Sequence, residues 1–136
     1  MYLVDTSVWI DFLRGRPGAH VDFFDHLLDD PLATGLSNVI YLEILQGARD
    51  MQAFERLQHY FSTQRFYDFA NVRQSYEAAA MLFHLCRRQG ITVRSTLDCL
   101  IAQCAIEHDL ILLHNDRDYL GLSQSASTLR QKHFLV

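Results

Sequence analysis

An α/β sandwich around a mostly parallel sheet is the fold that this sequence predicts, on two observations. Short apolar runs alternate with stretches of helical periodicity along the chain. Those runs also lack polar alternation, as strands do when both of their faces are covered. A length of 136 residues with 49% hydrophobic and 21% charged side chains suits one globular domain over residues 1–136.

The elements follow in order. Tyr2 to Val4 is a short apolar strand that starts at once. Thr6 and Ser7 supply helix-capping side chains, and Val8, Trp9, Phe12 and Leu13 recur at helical spacing until Gly15-Arg-Pro-Gly18 breaks the pattern. His20 to Asp29 reads as a helix with Val21, Phe24, Leu27 and Leu28 on one side, and after Pro31 the segment Leu32 to Thr34 reads as a second strand. Ser37 or Asn38 caps a helix over Val39 to Ala48, and a further helix covers Met51 to Phe61. Arg65 to Phe69 alternates as a strand would. Asn71 begins a long helix that Gly90 terminates, and Ser95 opens another to about His108. Leu110 to Leu113 is a bare apolar strand, and the segment around His133 to Val136 adds an edge strand.

Composition excludes several classes. Twelve basic against 16 acidic residues give a net charge of −4, so bulk attraction to nucleic acid is not the mode of action. No apolar stretch approaches the roughly 18 residues of a membrane span. The N-terminus has neither the basic start nor the length of a signal peptide. Three cysteines without C-x-x-C spacing indicate no disulfide framework and no structural zinc site, and a cytoplasmic, reducing setting is the simplest fit.

The acids carry the chemistry. Asp5 stands where the first strand stops and the first helix starts, and Asp116 follows the strand ending at Leu113. In an open parallel sheet, ligand sites form outside the carboxyl ends of the strands. Glu43 is the only charge within Val39-Ile-Tyr-Leu-Glu-Ile-Leu45, and Asp98 is the only charge within Leu97-Asp-Cys-Leu-Ile-Ala102. A lone buried carboxylate must be paired, protonated or metal-bound.

Each acid also has a plain structural role open to it. Asp5 fits a turn or cap, Ser95-Thr-Leu-Asp98 resembles a capping box, Glu43 could pair with a buried arginine, and Asp116 and Asp118 could be loop acids. One cluster of convergent carboxylates accounts for all of them at once. Such a cluster needs a counter-charge, and no lysine lies near these motifs. A hard divalent cation, Mg²⁺ or Mn²⁺, takes oxygen ligands and suits phosphoryl chemistry. Without Asp5, Glu43, Asp98, Asp116 and Asp118 the chain holds 12 basic against 11 acidic residues. Arg14, Arg16, Arg87, Arg88, Arg94 and Arg117 are then available for phosphate contacts, with Arg14, Arg94 and Arg117 singled out for RNA.

These pieces resemble the PIN-domain nucleases, and more narrowly the VapC-type toxins of VapBC toxin–antitoxin pairs. The matching segments are Val4-Asp-Thr-Ser7 with Trp9-Ile-Asp11 behind it, Leu42-Glu-Ile-Leu-Gln-Gly47, Ser95-Thr-Leu-Asp-Cys-Leu-Ile-Ala102 and Leu112-Leu-His-Asn-Asp-Arg-Asp-Tyr119. Their order fits a PIN-like three-layer α/β/α sandwich. The resemblance implies a Mg²⁺- or Mn²⁺-dependent endoribonuclease with Asp5, Glu43, Asp98 and Asp116 as the acidic, metal-binding quartet. Asp118 would be an auxiliary acid, and Thr6 or Ser7 would steady the first loop. Which of Asp116 and Asp118 meets the metal stays open.

The resemblance further implies a homodimer and a cognate VapB-type antitoxin. It implies structured RNA such as tRNA or ribosomal RNA as substrate, with arrest of translation as the result. Many relatives carry Thr where this chain has His114, and packing against the sheet is the role expected of the imidazole. A non-catalytic RNA- or protein-binding module is the alternative, or a metal-dependent nuclease or phosphatase acting on another phosphoester.

Overall fold

The computed structural model describes all residues from Met1 to Val136. Its centre is a four-stranded sheet made of β1 (Tyr2–Val4), β2 (Thr34–Gly35), β3 (Ile111–Leu113) and β4 (Arg130–Lys132). The spatial order is β2-β1-β3-β4, and every pairing is parallel. Leu3 and Val4 are successive residues of β1, so they point to opposite faces, and both are fully buried. Leu112 and Leu113 of β3 repeat this, so helices cover the sheet on both sides in an α/β/α sandwich.

Seven helices complete the fold: α1 (Thr6–Leu13), α2 (Ala19–Leu27), α3 (Asn38–Gln46), α4 (Met51–Phe61), α5 (Val72–Arg88), α6 (Thr96–Glu107) and α7 (Asp118–Ser125). Three have the side-chain caps that their first residues suggest: Ser37 accepts from the Ile40 amide, Asp50 from Ala53 and Asn71 from Gln74. Gly90 (φ +74) and Gly15 (φ +68) follow the ends of α5 and α1 in left-handed backbone that a side chain would strain. The core joins Trp9, Phe24 and Phe61, which meet edge to face at 4.6 and 4.9 Å, to Ile40, Ile101 and Leu122. α6 is its axis, with every residue from Asp98 to Ala105 buried, and it packs against α5, α7 and α3. No helix is long and apolar enough to cross a membrane.

The structure departs from the sequence-based expectation in five places. The cap of α1 is Asp5, the alternative role open to it, and not Thr6 or Ser7. Strand β2 lies at Thr34–Gly35, because register with Tyr2 and Leu3 decides the strand while Leu32 is left exposed. Arg65 to Phe69 makes only an isolated bridge, Leu36 to Phe66. The edge strand is Arg130–Lys132, a polar segment upstream of His133. Helix α7, DYLGLSQS, was not expected, since a glycine interrupts it and its apolar residues are few.

Candidate active site

The carboxyl ends of β1 and β3 lie side by side, with the Asp5 amide bonded to the Leu113 carbonyl at 2.9 Å. Asp5 leaves the strand there, and its Oδ2 accepts from the Ser7 amide at 3.0 Å and from the Ser7 hydroxyl at 2.6 Å. Ser7 Oγ in turn accepts the Asn115 amide at 2.9 Å, so one hydroxyl ties the β1 loop to the β3 loop. Thr6 donates to Glu43 Oε1 at 2.7 Å and thereby turns the α3 carboxylate toward the same end of the sheet.

Asp98 enters from the first turn of α6. Ser95 makes no side-chain cap there, so the capping box suggested by Ser95-Thr-Leu-Asp98 is not formed, and Asp98 is 8% exposed. Its carboxylate can lie with oxygens of Asp116 and Asp118 all within 4.8 Å of one another. Burial first, then the charges of Asp5, Asp116 and Glu43, push Asp98 up to about 7. Glu43 is also raised, by burial and by the charges of Asp5 and Asp116, against the hydrogen bond from Thr6. Asp5 and Glu43 act on Asp98 through their charge, whereas the group whose oxygens come within 4.8 Å of one another is Asp98, Asp116 and Asp118.

Tyr119 is the residue that the sequence did not single out. It is fully buried, its hydroxyl donates to Asp5 Oδ1 at 2.8 Å, and it lies 3.3 Å from Asp98 Oδ1. Burial and the adjoining carboxylates raise its phenol well above the ordinary value, so it stays a donor. One hydroxyl proton cannot serve two carboxylates. The shorter bond goes to Asp5, and when Asp98, raised to about 7, takes up a proton it can donate that proton to the phenolic oxygen. An aromatic beside an acid in a sequence reads as core, and nothing local reveals the hydroxyl's two partners.

Asp116 and Asp118 differ in what already holds them. Asp116 Oδ1 accepts the Asp118 amide at 2.9 Å. Asp118 is gripped by Arg94, whose Nε reaches both carboxylate oxygens at 3.2 Å and whose Nη2 reaches Oδ1 at 2.9 Å. Arg94 therefore faces the cluster as a cation while its side chain stays largely in solvent. Arg117 donates instead to the Val136 carbonyl at 2.7 Å. Arg14 caps the C-terminal end of α1, opposite the end that Asp5 caps, and lines a groove of 610 Å³ between α1, α3 and α4.

The donors of this cluster are carboxylate oxygens, with neither sulfur nor imidazole facing them in the group formed by Asp98, Asp116 and Asp118. That chemistry fits a hard divalent ion, which would also offset the repulsion that raises Asp98.

Comparison with known proteins bears on the family and the fold. The family model described as PIN domain matches residues 2–123. Ribonuclease VapC11 of Mycobacterium tuberculosis is 35% identical over 123 residues, which cover 88% of this chain and 89% of that protein. A VapC ribonuclease of Mycobacterium bovis matches to the same extent. Among solved structures, VapBC2 from Rickettsia felis, bound to a DNA fragment from its promoter, superposes with a TM-score of 0.74 at 16% identity, covering 98% of each chain. VapBC-1 from nontypeable Haemophilus influenzae gives 0.71 at 18% identity over 97% of this chain and 96% of that one.

Proposed function

The chain belongs to the PIN-domain family, alongside the VapC ribonucleases, and from that premise we propose that residues 1–136 form a single-domain, metal-dependent endoribonuclease, the toxin of a toxin–antitoxin pair. The observation that carries this reading is the convergence of Asp98, Asp116 and Asp118 at the carboxyl end of the sheet, beside Asp5 and Glu43. Mg²⁺ or Mn²⁺ held there would supply Lewis acidity toward a phosphodiester and activate water for its hydrolysis.

The protein's own residues do the rest. Asp5, Glu43, Asp98 and Asp116 would hold the ion. Asp118 serves as the auxiliary acid because Arg94 already occupies both of its oxygens, whereas Asp116 has only one oxygen engaged by an amide. Tyr119 bridges Asp5 and Asp98 at a fixed spacing and keeps its own proton between them, since their charges raise its phenol. Thr6 and Ser7 orient Glu43 and Asp5. Arg94, with a nitrogen to spare, meets the RNA backbone at the rim. Arg14 and Arg117 are more distant candidates for phosphate contact.

The substrate is structured RNA, tRNA or ribosomal RNA, and its cleavage stops translation. A VapB-type antitoxin controls the enzyme, which works as a homodimer in the cytoplasm. The groove that Arg14 lines, apolar at Leu13, Ile44 and Leu57 and edged by Arg49 and Arg56, offers such a partner an apolar seat with a basic rim. Three buried free thiols suit a reducing compartment.

The test is cleavage of total cellular RNA by purified protein with Mg²⁺ or Mn²⁺, with EDTA and Asp98→Asn as controls. Discrete fragments that disappear in both controls are expected. Folded, antitoxin-free protein that cuts no RNA would move the assignment to a binding module, and hydrolysis of DNA or small phosphoesters instead would change the substrate class.

A further inference from the structure

His114 closes β3 and is fully buried, yet the imidazole is hydrogen-bonded at both nitrogens. Its Nε2 lies 2.8 Å from Gln131 Oε1 on β4, and its Nδ1 lies 3.2 Å from the Asp116 amide nitrogen. The chain of bonds continues: Gln131 Nε2 donates to Ser123 Oγ at 2.8 Å, and Ser123 Oγ donates to the Leu120 carbonyl at 2.9 Å.

Proton counting fixes every group in this chain. A carbonyl only accepts, so the Ser123 proton points at Leu120 and its oxygen must accept from Gln131. The Gln131 amide nitrogen therefore faces Ser123 and its oxygen faces His114; the flipped amide would set two acceptors against each other. His114 must then donate from Nε2. Its Nδ1 is left as a lone pair, the one state that can accept the Asp116 N–H.

We propose that His114, neutral and protonated on Nε2, is a positioning residue that sets the Asp116 carboxylate by capturing the Asp116 amide, and that Gln131 selects the tautomer that allows it. This rests on reading the acidic cluster as a divalent-metal site. The Asp116 amide is the pivot of the turn that carries the carboxylate, whose Oδ1 already closes on the Asp118 amide. With both ends of that turn tied, the remaining oxygen has a fixed aim. The ring also packs on Tyr119 at 4.9 Å between centroids, so the same side chain supports the phenol that bridges Asp5 and Asp98. An Asx side chain at this position can also accept an amide two residues on, which gives the conservative variant its logic.

The experiment compares His114→Phe, His114→Asn and Gln131→Leu with wild type. It reads amide exchange at Asp116 and imidazole ¹⁵N–¹H correlations in metal-free protein, and Mn²⁺ affinity by calorimetry. Wild type is expected to show the pattern of a neutral ring protonated at Nε2. His114→Phe keeps the packing but exposes the Asp116 amide to exchange, and Mn²⁺ binding weakens by about 10–100-fold, the usual effect of removing a group that orients a metal ligand. His114→Asn keeps the acceptor and retains protection and affinity. Gln131→Leu leaves the ring in place but mixes its tautomers and speeds Asp116 exchange, which serves if His114→Phe does not fold.

A protected Asp116 amide in His114→Phe or Gln131→Leu would overturn the proposal. So would His114→Asn losing as much as His114→Phe, since an acceptor at this position would then restore nothing. If wild type binds no Mn²⁺, the metal-site reading fails, while exchange at Asp116 and the imidazole spectrum still decide the role of His114.

Discussion

Tyr119 donates its phenolic proton to Asp5 Oδ1 at 2.8 Å, joining the C-terminal third of the chain to the end of the first strand in a buried contact. The hydroxyl substitutes for part of the counter-charge that the carboxylates need. Tyr119→Phe removes it, and losing a hydrogen bond to a charged group costs about 1.5–3 kcal/mol. Metal-free Tyr119→Phe should therefore melt lower than wild type. With saturating Mn²⁺ the gap should narrow, because the cation then supplies the charge. Thermal melts with and without metal check this, and an equal deficit in both would show that the hydroxyl's contribution does not depend on the charge a cation supplies.

The pH dependence of stability has a definite sign. Asp98 is raised from 3.8 to about 7, and Glu43 is raised as well. A carboxyl that the fold keeps protonated favours the folded state fully below its unfolded pKa, and that contribution is lost as pH rises through the folded value. In EDTA, stability should fall between about pH 4 and pH 7 on account of these two groups. Asp11 acts in the opposite sense: burial opposes ionisation, but bonds from His20 and Arg16 prevail and lower it, so its contribution is lost only on acidification. With Mn²⁺ present the first trend should invert, because the ion competes with protons for the same oxygens. Denaturant midpoints at pH 5 and pH 8, with EDTA or Mn²⁺, measure both slopes.

How far the sequence speaks for this site depends on what kind of signal each residue leaves. Asp98 and Glu43 are lone acids in apolar helices, a contradiction visible without coordinates, and the structure puts Asp98 beside Asp116 and Asp5. The partners that tune them are another matter. Tyr119 and His114 look like core residues in a linear reading and are indeed fully buried, but their hydrogen bonds reach across the sheet to Asp5 and Gln131. Long-range polar contacts leave no local periodicity. Strand positions fail for a related reason: β2 and β4 are short, and their places are set by pairing with β1 and β3 rather than by their own composition.

Asp116 and Asp118 should separate in metal binding. Arg94 already holds both oxygens of Asp118, so Asp118→Asn perturbs the rim and should weaken Mn²⁺ by about 10-fold, in the range for groups that support a ligand. Asp116→Asn removes what we propose is a direct ligand and should cost more than about 100-fold. Calorimetric titration with Mn²⁺ distinguishes them. Equal losses would mean that Asp118 leaves Arg94 and joins the ion.

Asp98→Asn should abolish cleavage and stabilise the metal-free protein. The two effects have one cause. At pH 8 the Asp98 carboxyl is ionised against its preference, since burial and the charges of Asp5, Asp116 and Glu43 all favour the neutral form. The amide is neutral at every pH, is nearly isosteric, and can donate to the Tyr119 oxygen as the protonated acid does. Repulsion is relieved without opening a cavity, so Tm in EDTA at pH 8 should rise by about 3–5 °C. The gain should shrink toward pH 5, where wild-type Asp98 is itself neutral. Adding Mn²⁺ should reverse the order, because wild type gains a ligand-linked stabilisation that the variant has lost. Parallel melts across pH, with RNA cleavage on the same samples, test the whole chain of reasoning; a variant that is less stable than wild type in EDTA at pH 8 would show that Asp98 is held as a structural anion and not as a site for a cation.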